Sequence, residues 1–165
     1  MKSQNSEEYA VKTLWLLRHG EAEPARHSDA ERQLTSYGRQ QASRAAEALS
    51  GCTLQRVLVS PYVRAQQTAD LFCQALGYTG LRETVDWLTP ESSSRWVIEQ
   101  LDRYRDEAIL LVSHQPLVGD LGGLLINGHR QEPLPMGTAS LAKLEGLEVA
   151  PGLMSLRDLR HSMRD

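Results

Sequence analysis

Short apolar runs separated by amphipathic stretches are the main pattern of this 165-residue chain. Three runs, at residues 14–17, 56–60 and 109–112, are strongly apolar and stop at polar residues, which is typical of buried strands that end in a turn. Weaker runs lie at residues 81–85, 139–144 and 153–156. The last two are expected to pair as a hairpin at one edge of the sheet.

Helices are predicted between these runs, where apolar residues recur at helical spacing. One begins after Thr35, which can serve as its N-cap. Another begins at Ser60, as a serine N-cap with Pro61 in the first helical position. A third is expected from Thr89 and a fourth after residue 116. Strands alternating with helices predict an α/β fold: a three-layer sandwich with a mostly parallel central sheet flanked by helices.

Chain length suits one domain with a proper core. Residues 1–11 are polar and aperiodic and are expected to form a flexible leader. Residues 12–157 are expected to form the single domain. Residues 158–165 are expected to be a charged tail that frays.

Composition excludes several classes of protein. The net charge of −3 gives no basic excess, so nucleic acid is not an expected partner. No apolar run reaches membrane-spanning length, and the first ten residues lack the apolar core of a signal peptide. Cys52 and Cys73 are too few for a disulfide framework. Free thiols suit a reducing compartment, so the expected location is the cytoplasm.

Charged and imidazole side chains follow each of the three strong runs. Arg18 and His19 follow the first, Ser60 and Arg64 follow the second, and His114 follows the third. The carboxyl ends of parallel strands meet at one edge of a sheet, where ligands bind in open α/β folds. Because guanidinium groups match phosphate oxygens in bidentate geometry, the convergence of these residues predicts a site for an anion.

Arg64 is unusual because it falls in the first turn of a helix, where the macrodipole favours acidic residues. A bound anion would remove this penalty. The alternative is an exposed arginine paired with a carboxylate such as Asp70. For His19 and His114 taken singly, the alternative to a functional role is a partly buried histidine whose ring nitrogens are hydrogen-bonded within the protein. The remaining histidines lie in polar stretches and are interpreted as surface residues: His27, His129 and His161.

Other phosphate-handling schemes lack their sequence signals. The chain has no G-x-x-x-x-G-K-[ST] loop, and neither cysteine is followed by the glycine-containing loop and arginine of a cysteine phosphatase. No histidine spacing suggests a metal site. A histidine nucleophile is the scheme that remains.

Four sequence elements resemble signatures of the histidine phosphatase superfamily, whose fold is the phosphoglycerate mutase type. In chain order they are L-R-H-G-E from Leu17, L-T-x-x-G-x-x-Q-A from Leu34, S-P-x-x-R-A-x-x-T from Ser60, and V-S-H from Val112. The four elements cover about residues 13–126. Each lies at an expected strand or helix edge, which makes the resemblance specific.

The resemblance implies a role for each site residue. His19 would attack phosphorus and form a phosphohistidine intermediate, which water would then hydrolyse. Arg18, Arg64 and His114 would bind the phosphoryl oxygens and stabilise the transition state. No metal or cofactor would be required. Within the superfamily the chain is most similar to the short phosphohistidine phosphatases, so the expected partner is a phosphohistidine-bearing protein domain of a phosphorelay. A monomer is favoured, with the oligomeric state open.

One departure concerns the acid that protonates the leaving group. Larger members carry it in an L-x-E pattern, whereas this chain has Leu88-Thr89-Pro90 there. Glu21 and Glu91 are the remaining candidate acids. Larger members also insert a helical lid, but residues 86–107 have room for one helix only, so a minimal fold without a lid is expected. The alternatives left open are a phosphatase or mutase for small phosphate esters, and a non-catalytic phosphate-binding module.

Overall fold

Six strands form one mixed sheet in the computed structural model, which describes residues 10–25 and 27–162. The strands are β1 (Lys12–Arg18), β2 (Arg56–Val59), β3 (Leu81–Thr84), β4 (Ala108–Ser113), β5 (Leu141–Gly146) and β6 (Met154–Arg160). Their order across the sheet is β3-β2-β4-β1-β5-β6. The first four in this order are mutually parallel, and β5 and β6 complete the sheet as an antiparallel edge hairpin.

Four α-helices connect the strands in the described part of the chain: α1 (Ser36–Ala45), α2 (Val63–Leu76), α3 (Ser94–Leu101) and α4 (Leu117–Asn127). Two short 3-10 turns lie at Asp29–Glu31 and Ala46–Leu49. Thr35 caps α1 as predicted, because its hydroxyl accepts a hydrogen bond from the Gly38 N–H at 2.9 Å. None of these helices has both the length and the apolar character needed to cross a membrane.

The sheet separates two apolar cores, which gives the expected three layers. Alternation along β1 explains the division, since successive side chains of a strand point to opposite faces. Leu14 and Leu16 pack with α3 and α4 on one face. Trp15 and Leu17 pack with α2 and the Ala46–Leu49 turn on the other. The α/β sandwich and the single helix within residues 86–107 are confirmed.

Two predicted helix starts were wrong. Ser60 does not cap α2, which begins two residues later than expected, with Tyr62 as its N-cap. The Ser60 hydroxyl accepts the Tyr62 N–H at 3.2 Å and makes a turn ahead of the helix instead. The third helix begins at Ser94 rather than near Thr89, because Thr89 is held in a turn by Ser92 and Ser93 provides the cap.

The predicted C-terminal boundary was also wrong. β6 extends to Arg160, which pairs with Leu141, so residues 158–160 belong to the sheet and not to a tail. His161 continues this contact, with its Nδ1 2.7 Å from the Ser140 hydroxyl. Residues 1–9 of the expected leader and residues 163–165 of the expected tail lie outside the described residues.

Candidate active site

The end of β1 places Arg18 and His19 at the carboxyl edge of the parallel strands. The Arg18 N–H donates to the Ser140 carbonyl at 3.1 Å, and the His19 N–H donates to the Ser113 carbonyl at 3.0 Å. The His19 carbonyl in turn accepts from the Ala139 N–H at 2.9 Å. These bonds to both neighbouring segments fix the backbone from which the two side chains project.

His19 is held in one tautomer by its hydrogen bonds. Its Nδ1 lies 2.7 Å from the Gly20 carbonyl, which can only accept, so Nδ1 carries the proton. The Arg64 Nε–H points at the other ring nitrogen, Nε2, at 3.2 Å. An arginine can only donate, so Nε2 presents its lone pair. The ring is therefore neutral, with an unprotonated nitrogen facing the arginine.

Arg64 lies at the start of α2 and is buried, with 4% of its surface exposed. Besides the bond to His19, its two terminal nitrogens donate to Asp29, one to the backbone carbonyl at 2.7 Å and one to the carboxylate at 3.1 Å. The alternative of an exposed arginine paired with Asp70 was wrong. Asp70 instead pairs with Arg82 at 2.7 Å.

His114 follows β4 and lies beside His19, with 5.2 Å between the ring centroids. It is 1% exposed, and its Nε2 lies 2.7 Å from the Ser60 hydroxyl. Within the described residues its Nδ1 is buried without a hydrogen-bond partner, and so is Nε of Arg18. Such orphaned buried groups are rare in native structures and call for an explanation. Both lie in the group of side chains predicted to bind an anion.

Burial is the main cause of the low basicity of both histidines. It lowers the pKa of His19 from 6.5 to about 4; the hydrogen bond to Gly20 opposes this shift, and the charges of Arg64, Arg18 and Arg32 each lower the pKa further. Burial also lowers the pKa of His114 to about 3, and His19 and Arg64 lower it further. Burial has a larger effect on the pKa of His19 than the neighbouring arginines have.

The start of α1 supports the loop that carries His19. The backbones of Gly20 and Gly38 approach so closely that a Cβ on Gly20 would lie 2.5 Å from the Gly38 carbonyl oxygen. Gln41 accepts the Glu21 N–H at 2.8 Å, and the Thr35 N–H donates to the Glu21 carbonyl at 2.9 Å. The glycine, threonine and glutamine of the second motif therefore form the base of this loop.

Thr68, from the third motif, connects α2 to the same loop. Its hydroxyl accepts the Gly20 N–H at 3.1 Å and donates to the Arg64 carbonyl at 2.7 Å. One buried hydroxyl thus fixes the spacing between the segments that present His19 and Arg64.

Sequence and structural comparisons agree with this geometry. The sequence model of the histidine phosphatase superfamily, branch 1, matches residues 14–87. The chain is 36% identical over 143 residues to the phosphohistidine phosphatase SixA homolog of Haemophilus influenzae, covering 79% of this chain and 86% of that protein. The chain belongs to the histidine phosphatase superfamily.

Two further relatives extend this result. Phosphohistidine phosphatase SixA of Escherichia coli is 35% identical over 132 residues, which cover 77% of this chain and 80% of that protein. The structure of the protein histidine phosphatase SixA complexed with tungstate superposes with a TM-score of 0.82 and 30% identity. That superposition covers 91% of this chain and 97% of the other. The similarity thus extends over nearly the whole domain of a short superfamily member.

The two candidate acids, Glu21 and Glu91, lie in different surroundings. Glu21 is turned towards α1, where its carboxylate accepts the Thr35 hydroxyl at 3.0 Å. Glu91 lies close enough to Tyr62 for its charge to raise the pKa of the Tyr62 hydroxyl, after the larger effect of burial. The Tyr62 ring meets His114 edge-on with 5.0 Å between centroids. Glu91 therefore acts on the tyrosine that contacts His114, whereas Glu21 is turned towards α1.

The other histidines lie outside this cluster. His27 is exposed, His129 lies 3.8 Å from Glu132, and His161 contacts Ser140 beside β5. Within residues 10–25 and 27–162, no group of three or more His, Cys, Asp or Glu side chains is arranged to hold a metal ion.

Asp29, Tyr62 and Met136 are site neighbours for which the sequence motifs predicted no role. The Met136 carbonyl accepts from Arg18 at 3.0 Å. Asp29 comes from the loop after β1, where the sequence offered only one indication of ordered structure. Ser28 and Glu31 have capping-box spacing, and their side chains are bonded at 2.8 Å, which indicates an ordered turn around Asp29.

Proposed function

We propose that this protein is a phosphohistidine phosphatase that removes the phosphoryl group from a histidine of a partner protein. The observation that carries the proposal is the state of His19: a neutral ring with its Nε2 lone pair directed at a buried arginine. A neutral imidazole nitrogen is a competent nucleophile. The relatives of this protein in Haemophilus influenzae and Escherichia coli are named for phosphohistidine phosphatase activity.

In the first step, His19 Nε2 attacks phosphorus and a new N–P bond forms while the N–P bond of the substrate breaks. The electron pair of the breaking bond stays on the departing imidazole. When that ring already carries a proton on its other nitrogen, it leaves as neutral imidazole. In the second step, water attacks phosphorus, the bond to His19 breaks, phosphate is released and His19 regains its lone pair.

Arg18, Arg64 and His114 are proposed to bind the phosphoryl oxygens during both steps. Phosphoryl transfer gains mostly from positioning and from electrostatic stabilisation of these oxygens. The unpartnered Nε–H of Arg18 supports this role, since an oxyanion would accept it. The unpartnered Nδ1 of His114 would also donate to an oxyanion in the tautomer in which Nε2 accepts the Ser60 hydroxyl. Tungstate, present in the related SixA structure, is a tetrahedral oxyanion like phosphate. No metal or cofactor takes part in the proposed reaction.

Substrate choice is proposed from two features of the loop and helix between β3 and β4. Pro90 occupies the position where larger superfamily members carry the acid for the leaving group. An alkoxide leaves badly without a placed acid, which is worth about 10²- to 10⁴-fold in rate. The single helix α3 also leaves the site without a lid, so a histidine on a protein surface can reach it.

The partner is accordingly proposed to be a phosphohistidine domain of a phosphorelay. This protein is proposed to bind it in the cytoplasm and to act as a monomer. Within the described residues both cysteines are unpaired, which suits a reducing compartment.

The test compares kcat/KM for phosphohistidine, an aryl phosphate and an alkyl phosphate ester, side by side. We expect phosphohistidine to be cleaved fastest and the alkyl ester slowest. The His19→Ala variant should be inactive, and mass spectrometry of the quenched wild type should place the trapped phosphoryl group on His19. Equal or faster cleavage of sugar phosphates would contradict the assignment. Phosphate binding without turnover of any substrate would favour a non-catalytic binding module.

A further inference from the structure

Ser60 is held firmly at the carboxyl end of β2, next to His114. Its backbone N–H donates to the Val112 carbonyl at 3.1 Å, and its own carbonyl accepts a hydrogen bond from the Gln66 side chain at 2.8 Å. Ser60 is completely buried, and its hydroxyl oxygen lies 2.7 Å from Nε2 of His114. Backbone and side-chain bonds thus hold this hydroxyl against the imidazole ring.

The direction of the hydrogen bond between Ser60 and His114 follows from the second partner of the hydroxyl. The Ser60 oxygen accepts the Tyr62 N–H at 3.2 Å, which uses one of its lone pairs. In the part of the chain that the structure describes, the hydroxyl proton has one acceptor within reach, and this is Nε2 of His114. When Ser60 donates, Nε2 accepts, and the proton of the neutral ring lies on Nδ1.

The opposite tautomer leaves two buried groups unsatisfied. With its proton on Nε2, the ring would donate to Ser60, and the Ser60 hydroxyl proton would be buried without an acceptor among the described residues. Nδ1 would carry a lone pair, which repels an oxyanion. The first tautomer leaves only the Nδ1–H without a partner, and a phosphoryl oxygen can accept it. Because unsatisfied buried polar groups are costly, the first tautomer is favoured.

The surroundings of His114 make the position of this proton decisive. Burial is the main cause that lowers the pKa of His114 to about 3, so the ring carries a single proton near neutral pH. A neutral ring can donate from one nitrogen only. The His19 and Tyr62 rings pack against His114 with centroid distances of 5.2 and 5.0 Å. These contacts and the short bond to Ser60 oppose a flip of the ring.

We propose that Ser60 is a positioning residue that fixes the tautomer of His114, so that the Nδ1–H donates to a phosphoryl oxygen of the bound substrate. This proposal rests on the proposed function and deepens it, since it assigns the atom through which His114 acts. Ser60 acts through His114 and makes no contact with the substrate itself. Because its hydroxyl keeps Nε2 unprotonated, the phosphoryl oxygen meets a donor that is already oriented.

Nitrogen NMR of the histidine rings tests the tautomer without any reaction. In protein that carries isotope-labelled histidine near neutral pH, long-range proton–nitrogen spectra distinguish protonated from unprotonated ring nitrogens. The signals missing from the His114→Asn variant identify the His114 ring. We expect Nδ1 of His114 to be protonated in the free protein and with tungstate bound. A proton on Nε2 in the free protein would overturn the proposal.

The Ser60→Ala variant removes the hydroxyl and allows His114 to exchange between the two tautomers. Its spectra should show both ring nitrogens of His114 partly protonated. We expect kcat with an aryl phosphate to fall about five- to ten-fold, because the transition state loses the benefit of one hydrogen bond that orients a donor. KM should change less, since charge on the phosphoryl oxygens is stabilised mainly in the transition state. An unchanged kcat would overturn the proposal.

A double-mutant cycle separates this role from a purely structural one. The amide of the His114→Asn side chain can place an N–H near the position of Nδ1, and it has no tautomers. If Ser60 acts through the tautomer of His114, Ser60→Ala should cause no further loss of kcat in the His114→Asn background. If Ser60 only supports the fold, the same loss recurs in that background, and the proposal is wrong.

Ser140→Ala is the matched control for the spectra. It removes a hydrogen bond of the same kind, since the buried Ser140 hydroxyl lies 2.7 Å from Nδ1 of His161. This change should leave the His114 ring signals as they are in the wild type. A shift of the His114 tautomer as large as that in Ser60→Ala would count against a specific role for Ser60.

Failure of the proposed function gives a different result. A wild type that binds tungstate but does not cleave phosphohistidine would remove the proposed function, while the spectra would still assign the proton of His114. Conversely, rapid cleavage of phosphohistidine by a protein whose His114 is protonated on Nε2 would keep the function and remove the role of Ser60.

Discussion

Folding of this protein should depend on pH through its two buried neutral histidines. The pKa of His19 is lowered from 6.5 to about 4, and that of His114 to about 3, chiefly by burial. Between about pH 6.5 and pH 4 the unfolded chain therefore binds protons that the folded protein does not. The free energy of unfolding must fall as the pH falls through this window.

The magnitude follows from the linkage relation. A histidine with a folded pKa of about 4 and an ordinary value of 6.5 costs about 2 kcal/mol of stability between pH 7 and pH 4.5. His114 adds a similar amount, although part of its shift comes from His19 and the two costs are not independent. Together they amount to a large fraction of the stability of a typical domain, about 5–15 kcal/mol.

The assay is urea unfolding followed by tryptophan fluorescence, at about pH 7 and about pH 4.5. His19→Gln cannot be protonated, so we expect it to lose about 2 kcal/mol less than the wild type between the two pH values. His27→Gln is the matched control, because His27 is exposed and lies outside the site. If His19→Gln loses as much stability as the wild type, the neutral buried histidine is not the source of the pH dependence.

Two further predictions concern the groups that surround His19. Replacing Arg18 or Arg64 by lysine keeps the charge but removes the bidentate fork, and should lower kcat by about 10²- to 10³-fold with an aryl phosphate; near-normal turnover would contradict the proposed contacts. Ser60→Ala removes the partner of His114 Nε2 and should lower the free energy of unfolding by about 1–3 kcal/mol, measured with urea. It should also lower kcat, and full activity would show that the orientation of His114 does not depend on Ser60.

Where the sequence predicted the fold correctly, short-range patterns were enough. Strand β1 is buried on both faces, and its short apolar run ending at polar residues was enough to predict a strand there. Thr35 and Gly38 define the start of α1 within four residues. The helix starts near Ser60 and Thr89 were wrong because a serine or threonine hydroxyl serves equally well in a turn as in a cap. Only the surroundings decide between them, and at Ser60 they include His114.

Long-range partners explain what the sequence could not predict. Residues 158–160 were predicted to belong to a charged tail, but β5 offers them an open edge and they pair with it. Asp29 lies in a polar loop 35 residues before Arg64, and no local pattern connects the two. The four residues of the predicted site do meet, because parallel strands deliver them to one edge. Asp29, the carboxylate that pairs with Arg64, comes from a loop instead.

Arg64 shows how a short-range helix position and a long-range partner act together at one residue. A cation in the first turn of a helix costs about 0.3–1 kcal/mol, and burying it without a partner would cost far more. Asp29 offsets both costs with a carboxylate and a carbonyl, which leaves the Arg64 Nε–H directed at His19. No such compensation reaches Nδ1 of His114 or Nε of Arg18 within the described residues. An unsatisfied buried polar group costs about 1–3 kcal/mol, and the proposed phosphoryl oxygens would offset that cost. The protein thus stabilises the arginine that faces His19, the proposed nucleophile, and leaves unpaired two buried nitrogens that the substrate is proposed to contact.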